Sequence, residues 1–368
     1  MSNAIWINAG EVSGDMHGAL LVKALRTQNP ELDCLGMGGP AMHEQGFTNV
    51  FDISELSLMG VGEVLGHLPR IIGLLRRLYV QLKKHRPKAV VLIDAPDFNF
   101  FVARMAKRLG IPVFYYICPQ VWAWRTGRVK FLREKVDRVL CILPFEKAFL
   151  ARHGLDAEYV GHPLTSQMPL AELDGIETDP NQLLLLPGSR KKEIETLLPE
   201  FMQAAQKVRK THPDLQVSII RAPGVDEGFL RSHLPEDIPV EIFEPEDRYE
   251  RMKKSAAVVA ASGTVALETA LLGVPTVVAY RMSLLTELVG RLLVKVKHIS
   301  LPNLILGEEV FPELLQREAN AGEIAAKVNN FMDTSHGDET RQKLAELRKM
   351  LGEPGAPERA AEYILSHS

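Results

Sequence analysis

The segment Leu183-Leu-Leu-Leu-Pro-Gly-Ser-Arg-Lys-Lys-Glu ends an apolar run at Pro187, turns at Gly188 and enters a helical stretch near Arg190. Free N–H groups at such a helix start, with the positive end of its dipole, suit a phosphate. Arg190 adds a fork of donors that matches phosphate oxygens, beside the Gly188–Ser189 turn. The same residues also read as a plain turn and cap. A second turn of this kind, Ala261-Ser-Gly-Thr-Val-Ala-Leu-Glu, bends at Ser262, Gly263 and Thr264 and carries Glu268 one helical turn on. At that i, i+4 spacing Glu268 lies on the face of Thr264. Such a carboxylate can accept both hydroxyls of a ribose while the turn holds a pyrophosphate. Apolar neighbours make a merely solvated glutamate the poorer reading.

Carboxylates mark two further segments. In Val90-Val-Leu-Ile-Asp-Ala-Pro-Asp-Phe-Asn, Asp94 falls at the C-terminal edge of a buried strand, where open sheets place catalytic groups. Asp97 is explained as the N-cap of a helix from Phe98, which leaves Asp94 the better general base and Asp97 its alternate. With no DxD motif and no nearby His, the pair does not make a hard-cation site, and no metal is expected. The glycine-rich turn Asn8-Ala-Gly-Glu-Val-Ser-Gly-Asp lacks GxGxxG, and Glu11 within it would repel a pyrophosphate yet suit sugar hydroxyls. A nicotinamide enzyme is therefore disfavoured.

Two stretches point toward lipid or carbohydrate surfaces. Between Val64 and Lys88 stand Arg70, Arg76, Arg77, Lys83, Lys84, Arg86 and Lys88 with no acidic residue, beside Ile71, Leu74, Leu75, Leu78 and Leu82 at helical spacing. The helix reads either as a cover for the sheet with a solvated basic side or as a contact for an anionic membrane. The apolar loop upstream, with Met59 and Val61, and a basic-apolar stretch from Leu288 to His298 fit the second reading. Trp122, Trp124 and Arg125 in Cys118-Pro-Gln-Val-Trp-Ala-Trp-Arg are either core or a sugar and acyl-phosphate contact.

The elements that must position these residues alternate apolar runs with helical periods, the pattern of a parallel α/β fold. Strands are predicted over 4–9, 32–36, 89–94, 112–117 and 138–142, then 183–187, 215–221, 239–243, 256–261 and 276–280. At 368 residues the chain predicts two domains, 1–165 and 166–345, each doubly wound and facing the other, with a helical tail 346–368 that packs back on the first domain or on a partner subunit. The turn-rich segment 161–182 reads as the connection. A net charge of −3 makes no case for nucleic acid. Cys34, Cys118 and Cys141 are far apart without CxxC spacing, consistent with a reducing cytoplasm. The N-terminus has no signal-peptide pattern, and the longest uncharged stretch, Leu109 to Trp124, is broken by Pro112 and Pro119 and falls short of the about 20 residues a span needs.

Taken together, these segments resemble the lipid-A-disaccharide synthase family. The resemblance runs through AGEVSGD at 9–15, GGP at 38–40, LMGVGEVLG at 58–66, IDAPDFN at 93–99, VWAWR at 121–125, LPFEKAF at 143–149 and GHP at 161–163. It continues in LPGSR at 186–190, ASGTVALE at 261–268, YRM at 280–282, SLPNLI at 300–305 and ELLQ at 313–316. Val12, where the family often has Ala, and Phe311 are departures that touch no assigned role, and the tail is less alike.

The resemblance implies a GT-B-type glycosyltransferase, without cofactor, that moves 2,3-diacylglucosamine from UDP to 2,3-diacylglucosamine 1-phosphate (lipid X) with inversion, at the inner membrane. Asp94 would take the acceptor proton, with Glu11 on the acceptor side. Arg190 and the turns at Gly188–Ser189 and Ser262–Thr264 would hold the departing UDP. Glu268 would hold the ribose, and Asn303, Glu313 and Gln316 are candidates for nucleotide or donor-sugar contacts. A homodimer is left open. The rivals are another UDP-sugar enzyme, such as a peptidoglycan-intermediate transferase or a UDP-N-acetylglucosamine epimerase, and a non-catalytic UDP-sugar-binding or scaffold protein.

Overall fold

Two sets of apolar runs pair into two wholly parallel sheets, because each strand is followed by enough chain to cross over and return in the same direction. The structure, a computed structural model, describes residues 3–57, 64–123, 127–235, 238–261, 263–281 and 297–368. The first sheet holds β1 (Ala4–Ala9), β2 (Asp33–Gly38), β3 (Thr48–Asp52), β4 (Ala89–Ile93), β5 (Val113–Tyr116), β6 (Arg138–Cys141) and β7 (Ala157–Tyr159), in the order β3-β2-β1-β4-β5-β6-β7. The second holds β8 (Asp179–Leu186), β9 (Gln216–Ile220), β10 (Val240–Phe243), β11 (Ser255–Ala261), β12 (Thr276–Tyr280) and β13 (Glu313–Leu315), in the order β10-β9-β8-β11-β12-β13. Every residue of β1 and β4 is buried, as expected for central strands covered on both faces.

The chain divides into two compact units, Met1–Ser166 with Glu353–Ser368, and Gln167–Gly352. The segment read from sequence as a connection contains the short helices Leu164–Gln167 and Leu170–Leu173 and the first residues of β8. The expected tail is also divided. Residues up to Leu351 complete the helix Thr334–Leu351, whose Arg348 forks onto Asp174 at 2.6 and 3.0 Å. Gly352 takes φ +78, a conformation that favours glycine, and the chain then returns to the first unit. There the helix Ala356–His367 is tied to its surroundings by Arg359 Nε donating to the Val160 carbonyl at 2.8 Å and Gln28 Nε2 donating to the Glu358 carbonyl at 2.9 Å.

In the second unit Phe201, Leu198 and Ile194 of the helix Lys191–Arg209 pack with Leu185, Ile219 and Val259 of the sheet. No described helix is long and apolar enough to cross a membrane.

One buried carboxylate locks the first unit's local geometry. Asp15, 3% exposed near the start of the helix Val12–Gln28, accepts the N–H groups of Gly39 (2.7 Å), Ala41 (3.0 Å) and Met42 (3.2 Å). It thereby supplies the acceptor that the start of the helix Pro40–Glu44 lacks. A Cβ on Gly39 would stand 2.6 Å from Asp15 Oδ2, so only glycine allows the approach. Asp15→Ala would strand these donors at a cost of about 2–4 kcal/mol. Urea unfolding should show a lower midpoint, and an unchanged midpoint would refute the anchor.

Candidate active site

In an open parallel sheet, the ligand crevice forms where successive crossovers leave toward opposite sides. The first sheet has that point between β1 and β4, paired so that Ala9 stands opposite Ile93. The next residues on the two chains are Gly10-Glu11 and Asp94-Ala95. Asp94 is half-buried and takes φ +48, and Ala95 follows with φ +42. Left-handed backbone at non-glycine residues costs on the order of 1–2 kcal/mol each, so something must hold this turn.

Glu11 and Asp94 share one electrostatic environment. The Glu11 carboxyl is raised above its ordinary range by burial and then by the charge of Asp94. Two histidines that sequence reasoning passed over join them. Burial lowers the pKa of His17, an effect the Asp94 charge opposes, and its Nδ1 is buried without a hydrogen-bond partner. His162 is lowered to about 3 by burial and then by His17, while its Nδ1 accepts the Leu164 N–H at 3.2 Å. Both imidazoles are therefore neutral at neutral pH. Their signals, the His of GDMHG and of GHP, were visible but no spacing tied them to Asp94.

Asp97 plays a different part from the one expected. The helix begins at Pro96, not Phe98, which puts Asp97 in its first turn rather than at its cap. Its side chain is 76% exposed and ion-paired with Arg128. Among the described residues no group of three or more His, Cys, Asp or Glu is placed to hold a metal ion.

The second sheet repeats the topology between β8 and β11 with other residues. Gly188 turns at φ +107 just beyond β8, where a Cβ would stand 3.4 Å from the Ala261 Cβ and 2.7 Å from Glu193 Oε2. Arg190 is the N-cap of the helix Lys191–Arg209; its side chain is 80% exposed and its Nη1 donates to Glu193 Oε1 at 2.7 Å. Ser189 and Thr264 are exposed, and nothing lies within 4 Å of a Cβ built on Gly263, so this turn has room for a ligand. Glu268 is 14% exposed, with its carboxyl raised by burial and lowered by Arg248, whose Nε lies 3.8 Å from Glu268 Oε2. Arg248 was not foreseen, because it comes from a different helix, Arg248–Lys254.

A family model described as lipid-A-disaccharide synthetase matches residues 5–366. The chain belongs to the lipid-A-disaccharide synthase family. The synthase of Myxococcus xanthus is 43% identical over 98% of this chain and 96% of its own length. That of Geobacter sulfurreducens is 40% identical over 99% and 97%. Among solved structures, a putative UDP-N-acetylglucosamine 2-epimerase from Listeria monocytogenes aligns over 100% of this chain and 97% of its own (TM-score 0.68, 14% identity). The calicheamicin glycosyltransferase CalG4 aligns over 99% and 98% (TM-score 0.64, 16% identity). At such identities these structures bear on the fold alone, which is GT-B. The enzyme transfers an acylated glucosamine from a UDP-sugar donor to a lipid acceptor, forming the lipid A disaccharide.

Several residues expected to face the synthase's substrates make hydrogen bonds within the fold. Asn303 is fully buried and has every hydrogen-bonding position filled. Its Nδ2 donates to the Phe311 carbonyl (2.7 Å) and Glu313 Oε1 (2.8 Å), and its Oδ1 accepts the N–H groups of Val310 and Phe311 at 2.9 Å each. Glu313 in turn accepts the N–H groups of Ile299 (2.9 Å) and Ser300 (2.8 Å). Both bracket the turn into the helix Leu301–Leu306. Gln316 follows β13 at φ +54, its N–H donating to the Tyr280 carbonyl at 2.8 Å.

Trp122 is 8% exposed, packs edge-on against Phe145 and donates from Nε1 to Glu146 at 2.9 Å, so it is core rather than a sugar platform. In the synthase's basic helix Val64–His85, Leu74, Leu78 and Leu82 are buried, Ile71 and Leu75 are half-buried, and Ile72, Tyr79 and Val80 are exposed. Met59, Val61, Trp124, Arg125, Ser262 and most of the stretch from Leu288 lie outside the described residues.

Glu146 is 1% exposed and also accepts the N–H groups of Ile142 (3.2 Å) and Leu143 (3.1 Å). Burial pushes its carboxyl up to about 7 against these three hydrogen bonds. A pKa raised on folding contributes stability that is complete below the unfolded value and lost as pH rises through about 7. The stability difference between wild type and Glu146→Gln should therefore narrow between about pH 5 and 8. Thermal unfolding across that range tests this; parallel profiles would remove the buried titration.

Proposed function

We propose that Asp94 is the general base of the transfer and that the turns after β8 and β11 carry the departing UDP. The observation that supports the base most is its placement: a half-buried carboxylate beyond the central strand β4, in a held left-handed turn, within the electrostatic reach of Glu11 and His17. Asp94 takes the proton of the acceptor's 6-hydroxyl as that oxygen attacks the anomeric carbon. One in-line displacement on an α-linked donor yields the β-1,6 product with inversion. Glu11 receives acceptor hydroxyls.

On the donor side, the open N–H groups around Gly188–Ser189 and Gly263–Thr264 face the diphosphate. Arg190, exchanging Glu193 for phosphate oxygens, neutralises the leaving group without a metal ion. Glu268 holds the ribose hydroxyls, with Arg248 alongside to oppose the burial that raises its carboxyl. In a detergent-micelle assay with UDP-2,3-diacylglucosamine and lipid X, disaccharide should form in the presence of EDTA. Asp94→Asn should abolish turnover while UDP affinity stays near wild type, whereas Arg190→Ala should lower kcat about 10²–10³-fold. Substantial turnover by Asp94→Asn, or chelator-sensitive activity, would sink the respective assignment.

The same reading includes peripheral attachment to an anionic membrane through the helix Val64–His85, where exposed cations such as Arg76 and Lys84 flank exposed Ile72 and Val80. Each basic residue near such a surface contributes about 1 kcal/mol. Arg76→Glu with Lys84→Glu should weaken sedimentation with phosphatidylglycerol vesicles at least tenfold and leave neutral vesicles unaffected. Equal binding by the variant would exclude this face.

A further inference from the structure

Two adjacent non-glycine residues, Asp94 (φ +48) and Ala95 (φ +42, ψ 55), sit in left-handed backbone. Glycine at 95 would relieve its share at the loss of one methyl. The chain instead keeps the methyl and clears room for it across the crevice. A Cβ on Gly10 would lie 2.4 Å from the Ala95 Cβ, so residue 10 is the one that must be glycine. A stiff turn has been retained where a relaxed one was available.

What holds the turn is buried and comes from separate elements. The Asp94 carbonyl oxygen accepts two hydrogen bonds, from Tyr115 Oη at 2.6 Å and from Asn99 Nδ2 at 2.7 Å. Tyr115 lies on the neighbouring strand β5 and is fully buried, with the Phe100 ring edge-on to it. Asn99 is also fully buried; its amide donates as well to the Ile93 carbonyl at 3.0 Å, and its Oδ1 accepts from Asn8 Nδ2 at 2.7 Å. Its own N–H donates to the Ala95 carbonyl at 2.9 Å. The peptide joining residues 94 and 95 is thus gripped from β5 and the helix Pro96–Arg108, with Asn8 of β1 holding the Asn99 amide in place. With that peptide plane fixed, the direction in which the Asp94 side chain leaves the backbone is fixed too. A tight strand-to-helix turn that is strained and over-determined by its surroundings is how a reactive side chain is presented at a sheet edge.

We propose that Tyr115 and Asn99 are positioning residues that clamp the Asp94 main chain and thereby aim its carboxylate, and that the rigidity of the 94–95 turn is needed for turnover. This rests on Asp94 being the base. Neither residue touches substrate; each acts through the Asp94 peptide, so the effect falls on the chemical step rather than on binding.

The experiment measures kcat, both KM values and Tm for Tyr115→Phe and Ala95→Gly, with Asp94→Asn in parallel. Tyr115→Phe keeps the ring and removes one of the two donors. Its kcat should fall about 10–100-fold with both KM values within about threefold of wild type, since a misplacement of order 1 Å can cost about a hundredfold. Ala95→Gly relaxes the turn, so its Tm should rise by about 1–3 °C while kcat falls. A purely structural clamp cannot give that opposition of stability and rate. Full kcat in Tyr115→Phe, or an Ala95→Gly enzyme that is more stable and fully active, would overturn the proposal even with Asp94→Asn inactive. Substantial turnover by Asp94→Asn would instead remove the base assignment on which it rests.

Discussion

Parallel pairing of β1 with β4 is the constraint from which the first unit's chemistry follows. Right-handed crossovers send the chain from β1 to one side of the sheet and from β4 to the other, so the two strand ends cannot be covered by their own helices. At the paired ends, Ala9 and Ile93, the next residues of both chains are forced together. Gly10 tolerates that approach only because it has no side chain, and Asp94 tolerates it only in a left-handed conformation that buried amides and a phenol hold in place. The second unit obeys the same rule at β8 and β11, where Gly188 comes against Ala261.

The two crevices share topology and differ in what their strand ends carry. Beyond β1 and β4 stand the carboxylates of Glu11 and Asp94 and the imidazole of His17, groups that accept hydroxyl protons. Beyond β8 and β11 stand small residues, open backbone and one exposed arginine, groups that suit a diphosphate. Fold alone therefore does not distinguish the two crevices; the side chains at corresponding turns do.

Burial is the first cause of the shifts at Glu11, His17, His162, Glu146 and Glu268, and each moves toward its neutral form. Neighbouring charges then correct it: Arg248 acts against burial at Glu268, and Asp94 acts against burial at His17. In such weakly screened surroundings an ionised group at the strand edge interacts more strongly with its neighbours than it would in water.

Much of this was legible in the linear chain. The apolar runs of β1, β4, β8 and β11 announce themselves because central parallel strands are buried on both faces. The small-residue turns after them follow from glycine and proline chemistry. The strands that sequence reasoning missed, β3, β7 and β13, are all at sheet edges, where short or half-exposed segments carry little apolar pattern. What only the tertiary structure decided are relations between residues far apart in sequence. His162 reaches the environment of His17, Tyr115 grips the carbonyl of Asp94, and Arg248 comes beside Glu268. It also withdrew Asn303 and Trp122 from the surface, since a polar side chain's role depends on whether buried partners have already filled its hydrogen bonds. Residue type and local spacing determined which chemistry the chain could perform; long-range packing determined which of those residues are free to perform it.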